Sequence, residues 1–277
     1  MDVSTHYNKH RPRQSETSKE MLGIRNFHNF VKAKLLASAC STTVPHARML
    51  DLCCGNGGDI TKLKHNDINE YIGMDIANQA VERALQKLSE HPEVKGDVLT
   101  FNAFSVTAGN MLQNMKPFDI VSCQFAIHYA FSDERTARTF IQNVAFSLRV
   151  GGSFIITVPD FYHLAKSKKL LGKKFGDEIY SVKFASHEEI QDFGTAYEFS
   201  FKGAVENLTE FVVNPGVLIS LCKEVGMQLV ESKNFSEYAT HKGESLWTRM
   251  GVTYNEVSRI YRTYHFKMEQ FDSDDWF

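Results

Sequence analysis

What the chain lacks narrows it first. No apolar run approaches the roughly 18 residues that a bilayer-spanning helix needs. The polar start, with His6, Lys9, His10, Arg11 and Arg13, has no apolar core of a secretory leader, so no leader is expected. Cysteine is sparse: Cys40, Cys53, Cys54, Cys123 and Cys222 are odd in number and scattered, without C-x-x-C spacing. That excludes a disulfide framework, makes a zinc site unexpected, and points to reduced thiols inside a cell. Charge of one sign is also missing. Thirty-one Lys and Arg face 33 Asp and Glu, for a net charge of −2, so the chain is no generic polyanion binder. Any nucleic-acid contact must come from local patches. There is no internal repeat, no low-complexity tract and no cluster of metal ligands, so no metal is expected.

What is there reads as an ordinary globular chain, 43% hydrophobic and 23% charged over 277 residues. Residues 1–40 carry seven Lys or Arg against three acids, and 162–174 carry Lys166, Lys168, Lys169, Lys173 and Lys174 with no acid. The lysine run reads first as a solvated face. The polar residues 1–19 and the acidic tail 269–277 read as flexible.

The pattern centres on Met49-Leu-Asp-Leu-Cys-Cys-Gly-Asn-Gly-Gly-Asp59 followed by Tyr71-Ile-Gly-Met-Asp-Ile-Ala77. Met49, Leu50 and Leu52 suit a buried parallel strand. Gly55, Gly57 and Gly58 suit a tight turn that brings backbone close to a ligand. Ile60–Leu63 is expected to start a crossover helix. Tyr71–Met74 is a second strand ending on Asp75, and a carboxylate about 20 residues beyond a glycine turn commonly holds ribose hydroxyls. The turn is not G-x-G-x-x-G. It resembles motif I of S-adenosylmethionine (AdoMet) methyltransferases, although a ligand-free βα turn would share the glycines.

Further segments extend the alternation. Met21–Ala39 is predicted as an amphipathic helix, with Arg25, His28, Asn29 and Lys32 on a polar face that could form a lid. Gln79–His91 and Thr136–Leu148 are predicted helices, the latter ended by Gly151-Gly152. Val98–Ala103, Phe118–Gln124 and Phe154–Val158 are predicted strands. Residues 160–212 break the pattern and read as an antiparallel insertion over the ligand edge. Val217–Val225 reads as a helix, and Met227–Phe235 with Arg259–Met268 as a closing hairpin. Strands alternating with helices predict a doubly wound sheet, and ligands lie beyond the carboxyl ends of such strands. Asp51–Asp59, Asp75, Asn102–Phe104, Gln124–Tyr129 and Pro159–Asp160 all fall there.

Several strings carry a more specific resemblance: Leu22-Gly-Ile-Arg-Asn-Phe-His-Asn-Phe-Val-Lys32, the motif I turn, Phe118-Asp-Ile-Val-Ser-Cys-Gln-Phe-Ala-Ile-His-Tyr-Ala-Phe131, Gly151–Asp160, Phe175–Phe184 and Phe193–Phe199. From about Leu22 to Met268 the chain resembles mRNA cap guanine-N7 methyltransferases. The resemblance implies an α/β, Rossmann-like class I methyltransferase fold. Its mostly parallel seven-stranded sheet would have helices on both faces and an antiparallel insertion over the ligand edge, in a single domain over 1–277. It implies S-adenosyl-L-methionine as cofactor, 5′-capped RNA (GpppN) as substrate, and room for other capping enzymes or a stimulatory subunit. A monomer is expected, in the nucleus or, for a viral enzyme, the cytoplasm.

The resemblance also assigns residues. Lys32 would reach the cofactor carboxylate, Asp75 the ribose, and Asn102 the adenine, with Asp51, Cys53, Gly55 and Asp59 lining the turn. Gln124 and Tyr129 would flank the methionine part. His128, Tyr129 and Glu210 would hold the guanine beneath Tyr261. His28, Asn29 and Lys87 would face the cap phosphates. No residue would act as a base, because guanine N7 carries its own lone pair; in-line positioning is the catalytic requirement. The turn departs from the family's D-L-G-C-G-K-G-G-D. Cys53 replaces a glycine and is expected to crowd the cofactor. Asn56 replaces a lysine at the cap triphosphate, which Lys62 or Lys64 would have to compensate. Two alternatives stay open: a small-molecule AdoMet methyltransferase, and a cap-binding protein that has lost catalysis.

Overall fold

The computed structural model describes residues 18–41, 45–202, 204–239 and 256–269. Nearly all of the polar start, the acidic tail beyond Glu269, and most of the segment 237–253 lie outside the described residues.

Helix α1 (Lys19–Cys40) starts on Ser18, whose hydroxyl accepts from the Met21 N–H, and buries Met21, Ile24, Phe27, Val31 and Leu35 at spacings of three and four. The main sheet then forms from β1 (Ala47–Leu52), β2 (Ile68–Asp75), β3 (Lys95–Thr100), β4 (Phe118–Gln124) and β5 (Leu148–Pro159). Between them run α2 (Asn78–Ser89), α3 (Val106–Leu112) and α4 (Glu134–Ser147). After β5 come α5 (Phe161–Leu171) and a second, antiparallel sheet: β6 (Lys174–Gly176), β7 (Tyr180–Phe184), β8 (Ala196–Phe201) and β9 (Val205–Phe211). Helix α6 (Pro215–Glu224), β10 (Met227–Asn234), α7 (Phe235–Tyr238) and β11 (Tyr261–Met268) finish the described chain.

The seven-stranded sheet has the order β10-β11-β5-β4-β1-β2-β3. Strands β1 to β5 pair in parallel, and β11 runs antiparallel to both β5 and β10. The order reverses between β1 and β4, where an open α/β sheet has its ligand crevice. Alternate strand residues supply two cores. Leu50, Val121 and Ile156 pack toward α4 and α6, while Met49, Ile120 and Ile155 pack toward α1 and α2. A third core joins the first half of α1 to the antiparallel sheet and Tyr261. Helix α1 therefore spans both sheets.

Three expectations need correction. Ile60–Leu63 does not begin an α-helix: two 3-10 turns, Ile60–Lys62 and Lys64–Asn66, fill the short connection before left-handed Asp67. Gly151-Gly152 does not end a helix. Both lie inside β5, where the β4–β5 register shifts and a Cβ on Gly152 would meet the Arg149 carbonyl at 2.8 Å. Residues 160–212 are not antiparallel from their start: Phe161–Leu171, with Lys166, Lys168 and Lys169, form α5, and Lys174 opens β6. Helix α5 is capped by Asp160, whose carboxylate accepts from the Tyr162 and His163 N–H groups. Leu164 is its one fully buried side chain, so its apolar stripe is too thin to read as a helix.

Candidate functional site

The turn after β1 carries three left-handed residues, Cys53 (φ 62°), Gly55 (φ 53°) and Gly57 (φ 65°). It is tied down by the Cys54 N–H on the Met74 carbonyl and the Gly55 N–H on Asp75 Oδ2 at 2.8 Å. The other Asp75 oxygen accepts from the Ala77 N–H at 2.9 Å. Burial raises the Asp75 carboxyl, and its backbone donors act against that rise. A Cβ placed on Gly55 or Gly58 would meet nothing within 4 Å, so this backbone borders open space. Bare backbone beside a carboxylate at a strand end fits a nucleoside with a vicinal diol. Cys53 turns its thiol toward Cys123 of β4. No disulfide joins the five cysteines.

Beneath the turn lies an ionic cluster. Asp59 pairs with Lys32 at 2.8 Å and Lys62 at 2.6 Å. Burial pushes the Asp59 carboxyl up, but the two ammonium groups outweigh it and hold it at about 2. Asp51 accepts from the Tyr71 hydroxyl at 3.0 Å. Burial and then the Asp59 charge push Asp51 up to about 7. Lys32 thus stands on Asp59 in this structure, at the border between the turn and the second part of the site.

That second part is a cavity of about 280 Å³ between α1 and the antiparallel sheet. Lys32, Phe125, His128, Glu210 and Tyr261 are among its lining residues, as are Phe199 and Phe201. Glu210 on β9 is 4% exposed and accepts from the Tyr197 hydroxyl at 2.7 Å. Burial raises its carboxyl to about 8. His128 Nε2 lies 3.6 Å from the other Glu210 oxygen, and neither His128 ring nitrogen has a hydrogen-bond partner. Burial lowers His128 to about 3, so its ring is neutral. Gln124 donates to Ser122 Oγ and leaves its own Oε1 buried and unpartnered. Such orphaned polar atoms at a strand end are expected of a ligand pocket.

The structure brings His128, Glu210, Tyr261 and Lys32 into one cavity lining, and sets Gln124 and Tyr129 on the same strand-to-turn segment. It treats others differently. His28 bonds Ser258 through Nε2 at 3.0 Å and packs edge-on to Tyr261. Burial, then the Lys32 charge, lowers it to about 3, so it is a neutral group in the cavity wall. Asn29 lies at the mouth and accepts from Lys62 at 3.3 Å. Asn56 is exposed outside the cavity, with Arg83 on its side-chain oxygen at 2.7 Å and Lys87 on its carbonyl at 2.9 Å. Lys62 stands beside the turn, whereas Lys64 points to Glu93. Asn102 follows β3, exposed, and its oxygen accepts from the Phe104 N–H. Lys166, Lys169, Lys173 and Lys174 are exposed on or just after α5. Among the described residues no group of three or more His, Cys, Asp or Glu could hold a metal ion.

Sequence reasoning gave no site role to Tyr197, Phe199 and Phe201, and it placed Arg25 only on the lid face and Phe125 and Pro159 only at the strand ends. Phe125 left a signal only in three dimensions. It holds φ +57°, rare for a bulky residue, and stands edge-on to Tyr261 at 4.9 Å.

A glycine turn and acidic strand end on this sheet order define the class I AdoMet-dependent methyltransferase fold. The S-adenosylmethionine-dependent methyltransferase of Clostridium acetobutylicum shares it at TM-score 0.55 and 15% identity, covering 89% of this chain and 92% of that one. The chain belongs to the mRNA (guanine-N(7))-methyltransferase domain family, whose profile matches residues 1–262. The mRNA cap guanine-N(7) methyltransferase of Eremothecium gossypii is 34% identical over 257 residues, covering 85% of this chain and 59% of the relative. That of Drosophila melanogaster is 31% identical over 274 residues, covering 90% and 64%. The chain therefore spans about three fifths of the length of these curated relatives.

Proposed function

We propose that this chain transfers a methyl group from AdoMet to N7 of the guanine cap of mRNA, acting as one domain on a 5′-capped RNA end. The observation that carries the reading is the buried Glu210 carboxylate facing an aromatic-walled cavity that shares Lys32 with the glycine turn. AdoMet, when bound, supplies an electrophilic sulfonium methyl. Asp75, Gly55 and the neighbouring backbone hold its nucleoside, Asn102 lies at the end of β3 on the adenine side, and Gln124 and Tyr129 border the methionine part.

The pocket residues do the rest by position. Guanine presents N1–H and an exocyclic amine along one edge, and Glu210 is an acceptor for both. Phe125 and Tyr261 supply faces for the base. N7 needs no deprotonation, and the neutral His128 is poorly suited to act as a base. Methylation leaves the base cationic, which a carboxylate and aromatic faces favour. Lys62, Lys87 and Asn56 lie along the outer side of the turn, where the cap phosphates would run. The compartment that goes with this reading is the nucleus, or the cytoplasm for a viral enzyme.

The test is methyl transfer from labelled AdoMet to GpppG-capped RNA, followed by nuclease digestion and separation of the cap. The expected product is m7GpppG. AdoMet binding without transfer to the cap would overturn the substrate, and failure to bind AdoMet would overturn the whole reading. Asp75→Ala is expected to weaken AdoMet at least 10-fold by calorimetry, through loss of a carboxylate accepting charge-assisted hydrogen bonds. An unchanged affinity would remove Asp75 from the cofactor site.

A further inference from the structure

Tyr197 stands directly opposite Glu210 in the β8–β9 ladder and is 1% exposed. Its hydroxyl donates to Oε2 of Glu210 at 2.7 Å. The other oxygen, Oε1, meets His128 Nε2 only at 3.6 Å, too long for a hydrogen bond. One oxygen of the carboxylate is therefore anchored, and Glu210 lines the cavity. We propose that Tyr197 is a positioning residue for guanine recognition: its hydroxyl fixes the plane of the Glu210 carboxylate and keeps Oε1 presented to the base as an acceptor. This rests on the reading of Glu210 as the guanine acceptor and goes one residue beyond it.

The electrostatics agree with the geometry. Burial drives the Glu210 carboxyl toward its neutral form, and the Tyr197 hydroxyl acts against that drive. Tyr197 holds its own proton firmly, because burial and the Glu210 charge both oppose its loss, so it remains a donor across the working pH range. The other titratable or charged groups around the carboxylate come from three elements. His128 and Tyr129 lie on the turn after β4, Tyr261 on β11, and His28, Lys32 and Arg25 on α1. His128 and His28 are neutral and give Glu210 no countercharge. Phenylalanine at 197 would keep the ring against Phe184 and Phe199 and remove the oxygen alone.

The experiment is a pH profile of kcat/KM for the GpppG dinucleotide in wild type, Tyr197→Phe, Glu210→Gln and the double variant, with AdoMet affinity measured beside it. Tyr197→Phe is expected to lose about 10-fold near pH 7, to recover toward wild type at higher pH, and to bind AdoMet normally. In the Glu210→Gln background the pH-dependent part of the effect should vanish, because no carboxyl remains to be tuned. A loss equal at every pH would reduce Tyr197 to packing, and no loss would remove it from the pocket; either overturns the proposal. If Glu210→Gln itself methylates the cap as wild type does, the guanine-pocket reading fails. If Glu210→Gln is crippled while Tyr197→Phe keeps the wild-type profile, only the Tyr197 inference fails. Should Tyr197→Phe not fold, carbon-13 NMR of labelled tyrosine in the wild type decides. A buried tyrosine Cζ signal that titrates with Glu210 supports the coupling, and one that does not refutes it.

Discussion

Glu210 pits local stability against binding. In the folded protein its carboxyl titrates at about 8, against 4.5 for an unperturbed glutamate, because it is buried. Between those values the folded state holds a proton that the unfolded state releases. Stability from this group is therefore fully present below 4.5 and is lost as pH rises toward 8. Glu210→Gln does not titrate, so it is expected to raise Tm relative to wild type at pH 8 and to change it little at pH 5, read by calorimetric scans. The same substitution should cost about 100-fold in kcat/KM for capped RNA, because an amide presents a donor where guanine also presents one. AdoMet affinity should not move. Cap affinity in the wild type should rise between pH 6 and 8 as the carboxyl ionises. His128 and His28, both held near 3, bring the opposite slope: each favours the folded state above 6.5, and that contribution falls away as pH drops toward 3.

At the scale of elements, the strand ends and the loops after them set the site. Asp160 shows how they are joined. Its carboxylate caps α5 and accepts from Arg262 Nε of β11 and Asn234 Nδ2 at the end of β10, each at 2.8 Å. Asp160→Ala would leave the Arg262 guanidinium facing a hole and uncap α5. The expected loss is about 2–4 kcal/mol in urea unfolding, from the cap and the broken buried pair together. Residues 160–212 were legible as an antiparallel insertion from their alternation of aromatic and polar residues. Helix α5 was not, because its lysines mask its single anchor, Leu164. The connection after the glycine turn was misread as a helix, because Ile60 and Leu63 have helical spacing but the chain must turn into β2 by Ile68.

At the scale of the whole molecule, a net charge of −2 gives no general attraction for RNA. Lys62, Arg83 and Lys87 nonetheless gather beside the glycine turn, with Arg25 at the cavity mouth. Raising salt from about 50 to 200 mM should raise KM for capped RNA several-fold and shift AdoMet affinity far less, since phosphate contacts are screened and a buried nucleoside contact is not. Equal salt sensitivity of both ligands would argue that this cluster serves no phosphate.

The sequence by itself determined the sheet, the glycine turn, Asp75 at the end of β2, and part of the pocket, including Lys32, His128, Glu210 and Tyr261, because strand periodicity and turn chemistry are local properties. Only the tertiary structure decided what those residues meet. It set His28 edge-on to Tyr261 and Lys32 on Asp59. It placed Arg83 against Asn56 and paired Tyr197 with Glu210 across two strands. Charge state and hydrogen-bond partner depend on burial and on register between distant segments, and neither is written in the order of the residues.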